Sequence, residues 1–202
     1  MPTKIINGGN KFKHIDLKGE TLEAIDKQRR KSGCKDPNSP GKRFYGLTEA
    51  TIALTPGEII PIFQSMMGLG AQVTVKFKDV EAKYSAVTTL CRPANKAKLT
   101  PKAKAEWERF EKELIKHEKL HFDDAKALAD TVATEVHKMS VTGKGKTLEE
   151  AGVNAAKALK FEYSKTFTGK KLVDRINKGM AKRDSIDGHG TGSGAKLKYA
   201  IK

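Results

Sequence analysis

From residue 100 onward the apolar positions recur at steps of three and four. Trp107, Phe110, Leu114, His117, His121, Asp124 and Leu128 fall on one line, the stripe that an α-helix turns toward a core. Thr100 followed by Pro101 is an N-cap with proline at the first helical position. Neither proline nor glycine returns until Gly143, so the spacing predicts a helix from about Pro101 to Met139. Beyond a turn at Gly143-Lys144-Gly145, the run Thr147-Leu148-Glu149-Glu150 is a capping box that starts a second helix. Its apolar face is Leu148, Ala151, Ala155 and Leu159.

The first half carries a different period. Thr21 caps a short helix through Leu22, Ala24 and Ile25, which ends in the basic run from Lys27 to Lys31, before Ser32-Gly33. Lys35 to Lys42 is a loop. Alternation from Phe44 to Leu54, through Val73, Val75 and Phe77, and again from Tyr84 to Cys91 predicts strands. Between them, Thr55-Pro56-Gly57-Glu58 opens a short helical or irregular stretch that Pro61 interrupts. These pieces predict an α+β fold in which a small antiparallel sheet packs on long helices. Length favours one domain over residues 1–202. A flexible N-terminus (about 1–12) and a basic, Gly/Lys-rich C-terminal segment (about 188–202) that can serve as a linker are expected at its ends.

Charge narrows the partners more than the fold. A net charge of +15, from 39 Lys and Arg against 24 Asp and Glu, suits an acidic partner surface. The lysines are spread from end to end, and 6% aromatics leave no stacking platform, which argues against nucleic acid. No stretch approaches the roughly 18 apolar residues of a membrane span. The opening Met-Pro-Thr-Lys-Ile-Ile-Asn-Gly-Gly has no apolar signal region. Cys34 and Cys91 are either one disulfide, if the protein works outside the cytosol, or two unpaired thiols.

The chemistry concentrates in His117-Glu118-Lys119-Leu120-His121. On a helix, residues four apart share a face, so the two imidazoles can bind one metal ion with Glu118 beside it. That is the spacing of zinc peptidases. Zn2+ is the expected metal, with three protein ligands and one open position for water. Asp124 lies about 10 Å further along the axis than His117, too far for a short side chain, and is assigned to orienting His121. Glu135 and His137 are roughly 20 Å or more past the pair. The third ligand therefore comes from a later segment. Glu162 qualifies if the second helix packs antiparallel. His189 qualifies from the glycine-rich loop Arg183 to Gly190.

From about His14 to Gly190 the order of features resembles the DUF922 family, bacterial proteins regarded as zinc-dependent proteases. The resemblance rests on a Trp-x-x-Phe/Tyr-x-x-x-Leu-x-x-His-Glu-x-x-His helix, here Trp107, Phe110, Leu114, His117, Glu118 and His121. A later Tyr-Asp-x-x-Thr-x-His-Gly motif is matched by Asp184, His189 and Gly190, with Arg183 and Asp187 replacing the tyrosine and threonine. The resemblance implies a zincin-like active-site helix, His189 as third zinc ligand, a protein or peptide substrate, and a secreted or periplasmic protease; a secreted toxin or effector is a refinement of the same enzyme reading. Glu118 is then the general base that takes a proton from zinc-bound water and passes it to the leaving amine. Tyr163, Arg183 and a protonated Asp184 are candidates for stabilising the oxyanion. The alternative is a basic nucleic-acid-binding or structural-zinc module without hydrolytic activity, although a structural site needs four closed ligands.

Overall fold

The computed structural model describes residues 3–37, 39–68, 70–192 and 194–199. Its first half holds β1 (Thr3–Leu17), α1 (Leu22–Ser32), β2 (Gly46–Pro56), β3 (Ile59–Met67), β4 (Gly70–Phe77) and β5 (Val80–Pro93). A 3₁₀ turn at Lys96–Lys98 leads into α2 (Pro101–Lys138), β6 (Ser140–Gly145), α3 (Leu148–Thr166) and α4 (Gly169–Asp187). The class is α+β, as expected. There are two small sheets where one was expected, ordered β1-β5-β2 and β3-β4-β6. Every pairing in the second is antiparallel. Among the described residues no helix is long and apolar enough to cross a membrane.

The chain gathers into two compact units. The first comprises Met1–Gly8, Thr51–Tyr84 and Lys126–Arg175. Here Ala71, Val73, Val75 and Phe77 alternate inward along β4, and α3, lying across β4 and β6, buries Ala151, Ala155 and Leu159. The end of α2 adds Ala129, Val132, Ala133 and Val136, all fully buried. Thr147 caps α3, its Oγ1 accepting the Glu150 N–H at 3.1 Å, while Glu150 Oε2 reaches one residue beyond the cap and accepts the Lys146 N–H at 2.8 Å.

Three expectations are corrected in this unit. The stretch around Pro61 is strand β3, because Pro61 sits on a sheet edge and beside a register shift between Pro61 and Phe63, where its missing N–H breaks no ladder. The segment from Gly143 to Gly145 is part of β6, not a turn. A Cβ on Gly143 would lie 2.3 Å from Ala151 O and from Ala155 N, so glycine is there to let α3 rest on the strand. Residues from Thr3, placed in a flexible arm, form β1.

The second unit comprises Gly9–Ala50, Ser85–Ala125 and Ile176–Lys202. Leu17, Leu22, Ile25, Leu90, Trp107, Phe110 and Leu114 form its core. Tyr45 sets its ring edge-on to Trp107 and Phe110, at centroid distances of 5.9 and 4.8 Å. The C-terminal segment, expected as a linker, docks on α2 instead. Ala195 and Leu197 are buried in the core. Arg109, paired with Glu106, donates to the carbonyls of Gly194 and Lys196 at 2.8 and 2.7 Å, and the Lys198 N–H donates to Glu106 Oε1 at 2.8 Å. Of the two expected terminal segments, residues 1–2, 193 and 200–202 lie outside the described residues.

Candidate metal centre

The seam of α2 delivers His117 and His121 into the second unit's interior, 3% and 5% exposed. Against them lies the last turn and a half of α4, a segment expected as a glycine-rich loop. Its helical course puts Asp184 and Asp187, three residues apart, on the face that meets the histidines. His117 Nε2 and His121 Nε2 are 3.1 Å apart, and Asp184 Oδ1 stands 3.2 Å from the first and 3.1 Å from the second. Three lone-pair atoms at the corners of a nearly equilateral triangle repel one another unless a cation or a proton sits among them. Ligands about 2.0–2.1 Å from a tetrahedral ion stand about 3.3–3.4 Å apart. The triangle fits one face of that tetrahedron, and these three residues are the set among the described residues able to hold a metal ion.

Asp187 completes the arrangement around His117. Its Oδ2 is 2.8 Å from His117 Nδ1, so it holds the proton on that nitrogen and leaves Nε2 free to bind. Burial lowers the affinity of His117 for a proton, but the bond to Asp184, the charge of Glu118 and the bond to Asp187 outweigh it and raise its pKa. Asp184 is the converse: burial pushes it up, while His117 and His121 pull it well below the usual carboxylate range. The pull of each on the other's proton marks the pair as a site where protons and a cation compete. His121 Nδ1 is buried with no hydrogen-bond partner among the described residues, so nothing on its far side fixes the tautomer.

Glu118 projects beside the pair and is 4% exposed. Burial raises its pKa, against the opposing pull of a hydrogen bond from Thr48 and of the two histidines. Thr48 Oγ1 donates to Glu118 Oε2 at 2.8 Å and lies 2.8 Å from Thr88 Oγ1. Thr88 in turn meets the Asn10 amide at 2.9 and 3.0 Å. This chain of side chains on three strands anchors the carboxylate. Its other oxygen needs the opening of β2 to be glycine, since a Cβ on Gly46 would lie 2.2 Å from Glu118 Oε1.

The remaining candidates are placed as follows. His189 lies in the turn after α4 at φ 54, with Nδ1 3.4 Å from Asp184 Oδ2 and its ring 4.5 Å from that of Phe44. Its side chain is 39% exposed, and it stands behind Asp184 while Asp184 occupies the third corner. Asp124 does not orient His121: both its oxygens are taken by Arg183, at 2.6 and 2.8 Å, which ties α4 to α2 one turn before Asp187. Glu162 and Tyr163 belong to α3 in the first unit, where the Tyr163 hydroxyl donates to Leu54 O at 3.4 Å. Sequence reasoning missed Asp187 and Thr48 and gave Asp184 no ligand role. The Asp184/Asp187 spacing was the available signal, but it speaks only once that segment is known to be helical.

Fold and site together define an α+β protein whose long helix presents a His-Glu-x-x-His segment to carboxylates of its last helix. The family model described as "Bacterial protein of unknown function (DUF922)" matches residues 12–166, most of the chain, and the chain belongs to that family. The match ends before α4, so the family's description covers the two histidines and Glu118 but not Asp184 or Asp187. The chain matches no curated protein and no solved structure.

Proposed function

We propose that this protein is a zinc-dependent peptidase of zincin-like design, with His117, His121 and Asp184 as metal ligands and Glu118 as general base. The observation that carries the reading is the triangle of two imidazole nitrogens and one carboxylate oxygen with sides of 3.1 to 3.2 Å. Imidazole and carboxylate donors suit Zn2+, and three ligands leave one position open. A bound ion of this kind supplies a Lewis acid and an acidified water. Glu118, raised by burial and steadied by Thr48, takes a proton from the attacking water and returns it to the leaving amine. Asp187 keeps His117 in the binding tautomer, and the buried surround keeps bulk water from competing. The substrate is a protein or peptide.

The purified protein is expected to hold about one zinc per chain by elemental analysis. Glu118→Gln should retain that zinc while peptide hydrolysis falls by at least ~10²-fold, the usual contribution of a general base. Undiminished cleavage by the variant would refute the mechanism, and a chain that takes up no metal would refute the site.

A further inference from the structure

We infer that Cys34 and Cys91 are a built disulfide pair, a covalent staple in the second unit independent of the metal chemistry. The two sulfurs face each other at 3.8 Å across 57 residues of sequence, and both side chains are buried. Backbone pairing holds each cysteine in place. Cys34 and Phe44 exchange two N–H to carbonyl bonds of 2.9 Å, while the Cys91 N–H donates to the Tyr45 carbonyl at 2.6 Å. The residues therefore flank one segment, Phe44-Tyr45, with their thiols turned toward each other. A disulfide bond is about 2.05 Å long, so the remaining closure is under ~2 Å, a distance side-chain torsions cover.

Other uses for two buried thiols fit less well. No third metal-ligating side chain joins them, because the set able to hold an ion among the described residues is His117, His121 and Asp184. Nucleophilic catalysis needs an exposed thiolate, whereas Cys34 is buried and its thiol is pushed up by the contact with Cys91 and by burial. A cross-link instead uses what is there. It would pin the start of β2, where Phe44 packs on His189 and Thr48 holds Glu118.

The reaction is a thiol–disulfide exchange with a disulfide donor, either a low-molecular-weight disulfide or a thiol–disulfide oxidoreductase. The Cys91 thiolate attacks one donor sulfur and expels the other as a thiolate. Cys34, deprotonated in turn, attacks the Cys91 sulfur and releases the second donor thiolate. Two cysteine thiols are thereby oxidised to one disulfide, the donor disulfide is reduced to two thiols, and the protons end on the donor. Since both sulfurs are buried, exchange belongs to the folding chain before its core closes.

The test is to refold the reduced full chain in a mixture of oxidised and reduced glutathione and count thiols in denaturant. The expected product is a monomer without free thiols, lighter by two hydrogens, in which peptide mapping joins Cys34 to Cys91. Its Tm should exceed that of the reduced chain by roughly 5–15 °C, given the long loop closed. Cys34→Ser and Cys91→Ser should each keep one free thiol and melt near the reduced wild type. Two free thiols at equilibrium, glutathione adducts, intermolecular dimers, or a serine variant as stable as the oxidised chain would overturn the pair. Zinc content does not enter this measurement, so its outcome is separate from that of the peptidase reading.

Discussion

Asp187 is the residue on which the quality of the metal centre turns. It stands outside the His117–His121–Asp184 triangle; its Oδ2 lies 2.8 Å from His117 Nδ1 and so turns Nε2 toward the other two corners. Carboxylates in this role are worth about 10–100-fold in metal affinity. Asp187→Ala is therefore expected to weaken zinc binding by that factor in competition with a chromophoric chelator, with one ion still bound at saturation. An unchanged affinity would remove Asp187 from the account. At this scale the site was half legible. The spacing of His117, Glu118 and His121 is a local property of a helix and can be read from five letters. Asp184 and Asp187 meet the histidines only through the packing of α4, 63 to 70 residues away in sequence, which spacing does not encode. Thr48 is more hidden still, since a threonine in an alternating strand gives no sign that its hydroxyl meets Glu118.

The elements divide along the same line. α1, α2 and α3 carry their own start signals in Thr21, Thr100-Pro101 and the Thr147 capping box, and each begins where those signals lie. β3, β6 and α4 were missed because Pro61, Gly143 and the glycines after Gly188 punctuate a chain locally, while edge position and helix-on-strand contact decide what they do. α1 also makes a pH prediction. Burial pushes Asp26 up, but hydrogen bonds from Arg29 and Tyr45, the charge of Arg29 and the bond to Arg30 more than offset it, so its folded pKa lies below the ordinary value. The stability from this group is then fully present above the unfolded pKa of about 4 and is lost as pH falls through the lower folded value. Acid titrations followed by circular dichroism should show wild type losing stability below about pH 4 more steeply than Asp26→Asn. Identical acid profiles would mean that the Asp26 cluster contributes nothing to folding.

Across the molecule, the cluster able to hold an ion among the described residues lies in the second unit, where α2 and α4 meet. The core of the second unit reaches from β1 to the C-terminal segment, whereas the partners of the His117 ring come from α2 and α4. The net charge of +15 has no counterpart in this arrangement: the residues that converge are two histidines and acids, and among the described residues no lysine is buried. What joins fold to function is the claim that one cation sits where three lone pairs now crowd together. Crystals grown with zinc and measured on both sides of its absorption edge test this most directly. The account predicts one strong anomalous peak about 2.0–2.2 Å from His117 Nε2, His121 Nε2 and a carboxylate oxygen of Asp184. No peak at that position, or a zinc bound without Asp184, would contradict it.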